Sequence, residues 1–348
     1  MPLRREPFHI AGKVVAPGSR RTVDLPVSVL SDHTPVTLSA HVVHGRRPGP
    51  VVSITAGIHG DEVIGVEIVR RLLAQPALDR LAGTLIAVPI VNTYGFLNRS
   101  RYLPDRRDLN RCFPGYPGGS LASRLAYLLM EEVIGRADLG IDLHSAAVHR
   151  INLPQVRISP DSPALLRLAR DFGAPVILPS KLREGSLRAA ALERGIEMLL
   201  FEAGEGLRFD EFSARAGVMG ILRVLHAQGM IAARGIAKPR KAPILCGTSR
   251  WLRAPQGGLL RMYRSEGDVV SEGDVLAHVS DPFGETETEL TAPAAGLIIG
   301  RATMPVVNEG DALCHLAELR SADLAEETME SLTAQLEQVT LFDEDEII

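Results

Sequence analysis

Lysine is almost missing from this chain: Lys13, Lys181, Lys238 and Lys241 are the only four among 38 cationic side chains, and none follows residue 241. The C-terminal part therefore offers no side-chain amine for a covalently attached cofactor arm. Cysteine is equally sparse. Cys112, Cys246 and Cys314 are odd in number and far apart, which argues against a disulfide framework or a cysteine-based zinc site and suits reduced thiols in a cytoplasmic protein. Aromatic residues make up 4% of the chain and form no stripe with basic ones; with a formal net charge of −4, this speaks against nucleic acid as a partner. No apolar run approaches the roughly 20 residues that span a bilayer, and residues 1–12 lack the apolar centre of a secretory signal, so no membrane partner is expected.

The 348 residues, 45% of them hydrophobic, suffice for a substantial core and two domains. Val23, Leu25, Val27 and Val29, then Val36, Leu38, Ala40 and Val42, alternate with polar residues on either side of a Ser-Asp-His-Thr-Pro turn. They predict an antiparallel edge pair. Short, nearly continuous apolar runs follow at 51–55, 84–91, 139–143, 174–178 and 197–201. Helical patterns at 120–134, 162–172 and 215–227 are interleaved with them. That alternation predicts an α/β fold with a mixed, largely parallel sheet covered by helices on both faces.

In such sheets ligands bind beyond the carboxyl ends of the strands. The run ending at Thr55 leads to His59 and Glu62, the run ending at Leu143 to His144, and the run ending at Phe201 to Glu202. His59, Glu62 and His144 make a two-histidine, one-carboxylate set with a short and then a long spacer, the pattern of a catalytic zinc with a fourth position open to water. His149 competes with His144, but His144 stands directly at a strand end. Glu202 suits a general base that takes a proton from water and returns it to a leaving amine. Glu205 is its rival, on a loop flanked by glycines. Residues 99–111 carry Arg99, Arg101, Arg106, Arg107 and Arg111. Guanidinium forks match carboxylates, so a small anionic substrate is expected, with Asn110 and Arg111 jointly holding its carboxylate. Arg106 and Arg107 read better as solvated loop residues.

Gly57-Ile58-His59-Gly60-Asp61-Glu62, Asp108-Leu109-Asn110-Arg111, Asp142-Leu143-His144 and Phe201-Glu202-Ala203-Gly204 together resemble the succinylglutamate desuccinylase and aspartoacylase family, which shares the zinc carboxypeptidase fold. The resemblance spans residues 36–230. It implies one zinc ion on His59, Glu62 and His144, with Glu202 as base and proton shuttle. Asn110 and Arg111 would hold the substrate α-carboxylate. Arg101 is the match to the family arginine that polarises the scissile carbonyl, with Arg99 close by as the alternative. The implied activity is hydrolysis of an N-acyl amino acid. A metallocarboxypeptidase acting on small peptides uses the same atoms, and a non-catalytic metal-binding scaffold is the reading from another class. A homo-oligomer is compatible with all three.

The composition changes after 239–243. Residues 253–319 hold three Glu-Gly-Asp turns between short apolar runs, which predicts a small all-β barrel or sandwich. It resembles a lipoyl or biotinyl domain without the attachment lysine, which leaves a structural role at the mouth of the site or in an oligomer contact. The expected division is a hydrolase domain over 1–238, the β-module over 239–320 and an acidic tail over 321–348. The tail holds nine acidic and no basic residues; Leu324, Met329, Leu332 and Leu336 could line a short amphipathic helix ahead of the acidic run 343–346, but a solvated terminus is the preferred reading.

Overall fold

The computed structural model describes residues 5–239, 241–319 and 322–337. A small hairpin, β1 (Phe8–Ile10) and β2 (Lys13–Val15), precedes the long antiparallel pair β3 (Ser19–Val29) and β4 (Pro35–His44). This is the edge pair expected from the alternation. Val23, Leu25, Leu38 and Ala40 face the core from it. The α/β part follows: β5 (Arg47–Ala56), α1 (Ile64–Leu73), β6 (Ala82–Val88), α2 (Thr93–Asn98), α3 (Leu121–Glu132), β7 (Leu139–His144), β8 (Arg150–Ile158), α4 (Pro163–Phe172), β9 (Val176–Pro179), α5 (Leu187–Glu193), β10 (Glu197–Glu205) and α6 (Glu211–Ala227).

Helices α3 to α6 start where a side chain takes up a free N–H, whereas α1 starts at Val63 without one. Ser120 caps α3, Ser162 caps α4 ahead of Pro163, Ser186 caps α5 and Asp210 caps α6. Helices α1, α4 and α6 bury Ile64, Ile68, Leu165, Phe172 and Val218 against one face of the sheet. The other face is covered by α3 and α5, through Leu125, Leu129 and Leu187. Strands β6, β5, β7 and β10 run parallel in that order, as expected of a sheet wrapped on both sides. Beyond β10, β8 pairs antiparallel, and β9 pairs parallel with β8.

The C-terminal region is β structure, antiparallel apart from β11, which pairs parallel: β11 (Ile244–Leu245), β12 (Ser249–Arg253), β13 (Gly258–Met262), β14 (Val269–Val270), β15 (Val275–Ser280), β16 (Glu287–Thr291), β17 (Gly296–Ala302), β18 (Val306–Val307) and β19 (Ala312–Glu318). Strands β16, β15, β13 and β18 form a separate four-stranded sheet. The others join the main sheet: β17 pairs with β8, β19 with β17, β12 with β19, and β11 with β9. Of the terminus expected to be solvated, α7 (Ala322–Glu337) is helical, with Leu336 buried in the α1, α4 and α6 core and its carbonyl accepting from Arg215 at 3.0 Å. The acidic run 343–346 lies outside the described residues. All three cysteines are free, and burial pushes the thiols of Cys246 and Cys314 up to about 11 and about 12. Among the described residues no helix is long and apolar enough to cross a membrane.

Candidate active site

Strand β5 ends at Ala56, and the chain turns at Gly57, whose φ of +63° favours glycine. The turn then passes against α2 so closely that a Cβ on Gly60 would stand 2.0 Å from the Gly95 carbonyl carbon. This tight passage carries His59 and Glu62 to the carboxyl edge of the sheet. His144 ends β7 on the same edge, and Glu202 on β10 stands in register with it. After β6, Asn92 caps α2 by accepting from the Gly95 N–H at 2.8 Å, and the chain returns to the edge at Arg101.

His59, Glu62 and His144 are buried, and one ligand atom from each lies within 4.8 Å of the others. Glu62 Oε1 is 2.6 Å from His59 Nδ1, and Oε2 is 2.7 Å from His144 Nδ1. The far nitrogens are also engaged: His59 Nε2 lies 3.1 Å from Asp108 and His144 Nε2 lies 2.8 Å from Asp142. Burial alone would raise the Glu62 carboxyl, but the two imidazoles outweigh it and hold the group well below the usual carboxylate range. Burial likewise opposes charge on His144, and the carboxylates of Asp142 and Glu62 reverse the sign and raise it. Arg101 donates to Glu62 at 3.0 Å and to Asp108 at 3.3 Å.

A cleft of about 500 Å³ opens over this cluster, and all seven residues singled out in the sequence line it: His59, Glu62, Arg101, Asn110, Arg111, His144 and Glu202. Asn110 Oδ1 accepts from the Leu187 N–H at 2.9 Å, which leaves the NH2 of that amide as its donor group. Arg111 bonds the Asn110 carbonyl. The rivals are placed elsewhere. Arg99 is the left-handed cap of α2, His149 forms a turn whose N–H donates to Glu205, and Glu205 also accepts from Thr303; none of the three lines the cleft.

The cleft also holds residues that the sequence did not single out. Asn152 and Arg157, on β8, flank Glu202: Asn152 Nδ2 donates to Oε2 at 2.9 Å, and Arg157 Nη1 lies 3.5 Å from Oε1. Arg188 on α5 bonds Ser180, while its Nη1 is buried without a protein partner. Burial and the neighbouring Arg157 push its guanidinium down to about 10. Trp251 of β12 reaches the same cleft from the C-terminal region. The arginines of 99–111 form only part of this positive lining, and the rest comes from β8, α5 and the loop before it.

The model of the succinylglutamate desuccinylase/aspartoacylase catalytic domain matches residues 48–228, more than half of the chain. The chain belongs to this family. It is 29% identical over 287 residues to N-alpha-acetyl-L-2,4-diaminobutyric acid deacetylase of Halomonas elongata, covering 79% of this chain and 84% of the relative. A succinylglutamate desuccinylase/aspartoacylase structure from Rhodobacter sphaeroides superposes with a TM-score of 0.75 at 28% identity, over 86% of this chain and 95% of that one. The product-bound ectoine utilization protein EutE (DoeB) of Ruegeria pomeroyi shares the fold, with a TM-score of 0.77 at 24% identity over 91% and 97% of the two chains. Relatives in this family are deacylases that cleave amide bonds.

The family's donor set can hold a metal ion in this chain. Three buried donor side chains converge, and each imidazole turns its other nitrogen to a carboxylate, the outer arrangement that fixes the orientation of histidines in metal sites.

Proposed function

We propose that the protein is a zinc-dependent amidohydrolase that removes the acyl group from a small N-acyl amino acid. The observation that carries this reading is the convergence of the histidine and carboxylate donors with Glu202 and an arginine-rich wall in one cleft. His59, Glu62 and His144 would hold the ion, which when bound supplies Lewis-acid chemistry and makes water acidic near neutral pH. Glu202 takes a proton from the attacking water as the new C–O bond forms. When the C–N bond breaks, the same carboxyl returns the proton to the departing amine. Arg101 has N–H groups beyond the two used on Glu62 and Asp108, and these serve the developing oxyanion. Asn110 and Arg111 hold the substrate carboxylate, for which the amide NH2 and the guanidinium fork are suitable donors.

The proposed organisation is a hydrolase domain over 1–238 and a β-module over 239–320, without a covalently bound arm. The free thiols suit a reducing compartment, and the cytoplasm is the proposed location. The test is a panel of N-acyl amino acids and dipeptides assayed on zinc-loaded protein. Release from the N-acyl amino acids is expected, and selective cleavage of dipeptides would make the protein a carboxypeptidase instead. E202Q should lower kcat by at least about 10²-fold with unchanged metal content. Full turnover in that variant would overturn the role given to Glu202.

A further inference from the structure

Strands β10, β8, β17, β19 and β12 stand side by side between the cleft and the C-terminal edge of the main sheet. One row of residues crosses them. Trp251 pairs with His315, His315 with Gly300, Gly300 with Asn152, and Asn152 with Gly204, just beyond Glu202. At the end of the row the Asn152 amide is used from both sides. Its Nδ2 donates to Glu202 Oε2 at 2.9 Å. Its Oδ1 lies over Gly300, where a Cβ would stand 2.7 Å from that oxygen and 3.1 Å from the Ile151 carbonyl oxygen. Gly300 is not among the positive-φ glycines, so its backbone does not require glycine. What a side chain there would do is push the Asn152 amide away from Glu202.

We propose that Asn152 is a positioning residue for Glu202, and that Gly300, contributed by the C-terminal module, is the seat that holds its amide in place. This rests on the reading of Glu202 as the general base. An amide N–H on one carboxylate oxygen removes a rotational choice from the side chain and fixes where its oxygens stand. The other charged or titratable groups facing Glu202 are Arg157 on its own side of β8, Arg188 on α5 and His144 across β7. All three stay in place in the variants below. The module thus acts on catalysis through a strand pairing, with no need of a swinging arm: β17 supplies a bare surface on which a neighbouring side chain can lie flat.

The experiment uses the full-length, zinc-loaded protein and compares N152A, N152D and G300A with wild type. kcat and KM are measured separately, with metal content and melting temperature as controls. In N152A kcat should fall by about tenfold with unchanged KM and metal content, because the base is present but no longer held. N152D replaces the N–H donor by a carboxylate facing Glu202, so its kcat should fall at least as far. In the E202Q background N152A should cost nothing further, whereas a residue needed only for packing would lower kcat in both backgrounds. G300A should reproduce the N152A loss in kcat, and the N152A/G300A double variant should be no worse than N152A alone, because both act on one contact. Unchanged kcat in N152A and N152D would overturn the role of Asn152. Wild-type kcat in G300A would overturn that of the module. Should G300A fail to fold, G300A/N152G removes the clashing amide: recovered folding supports the seat, and no recovery overturns it. Full activity of E202Q would count against the base itself, whereas an inactive E202Q beside an unimpaired N152A counts against this inference alone.

Discussion

Asp142 is fixed at both of its oxygens, one taking the Thr55 hydroxyl at 2.6 Å and the other lying 2.8 Å from His144 Nε2. Asp108 makes the looser contact to His59, at 3.1 Å, and shares its carboxylate with Arg101. A carboxylate behind a metal-ligating imidazole orients the ring and raises its basicity, and its loss typically costs 10–100-fold in metal affinity. D142N should therefore weaken zinc binding by at least about tenfold in a chelator competition, and D108N by less, since that side chain is more exposed. Equal affinity in D142N and wild type would mean that the strand alone orients His144. The convergence of His59, Glu62 and His144 was legible in the sequence because two follow one strand run within a short turn and the third ends another. Their partners were not. Asp142 stands two positions before His144 on the same strand, but Asp108 is 49 positions from His59, and only the folded sheet edge makes those two neighbours.

At the scale of elements, the reading of β5, β7, β9 and β10 from apolar runs was close to the observed strands, whereas β8 was missed. Its sequence alternates Arg150, Asn152, Gln155 and Arg157 with apolar residues and carries Pro154 in the middle, which argues against a central strand. The structure accommodates the proline at an irregularity, where Leu153 and Pro154 face one residue of β10 between Glu202 and Gly204. The polar side chains belong there because one face of β8 is cleft wall. Helix α5 was missed because seven residues give too little periodicity. The junction of β17 with β8 could not be seen in the sequence either, since strand pairing between distant segments leaves no local signal. That junction buries His315 of β19, whose Nε2 bonds Ser249 at 3.0 Å, whose Nδ1 has no partner, and whose ring stacks on Trp251 at 4.6 Å. Burial first, and then Arg157, push the imidazole down to about 3 from 6.5. Between those values the unfolded chain binds a proton that the folded chain refuses, so this group's contribution to stability is complete above about pH 6.5 and is lost progressively as pH falls. Melting followed by Trp251 fluorescence should show wild type losing stability between about pH 7 and about pH 5, and H315Q losing less. Parallel slopes would show that His315 does not titrate on unfolding.

The molecule as a whole is negatively charged, yet its cleft is not. Arg101, Arg111, Arg150, Arg157, Lys181, Arg183 and Arg188 line it against Glu62, Asp142 and Glu202, while the formal net charge of the chain is −4. The cations come from separate parts of the fold: the segment after α2, strand β8, the loop before α5, and α5 itself. The main sheet brings them to one edge, and the antiparallel strands continuing from β8 close the side on which Trp251 stands, with the Arg150 guanidinium 5.6 Å from its ring. A concave site of one sign, walled by protein, draws in substrate of the other sign, and added salt weakens that attraction over a Debye length of about 8 Å at physiological ionic strength. For a substrate with a free carboxylate, kcat/KM should therefore fall as salt rises, with the loss in KM and kcat nearly constant, because Glu202 and Arg101, which act on the amide, are partly withdrawn from solvent and act at short range. The control is the corresponding carboxyl ester or amide, which carries the same scissile bond without the charge. Its kcat/KM should be lower at low salt and nearly independent of salt. If the charged and neutral substrates respond alike, the arginines of the wall do not take part in substrate capture, and the effect of salt lies elsewhere in the protein.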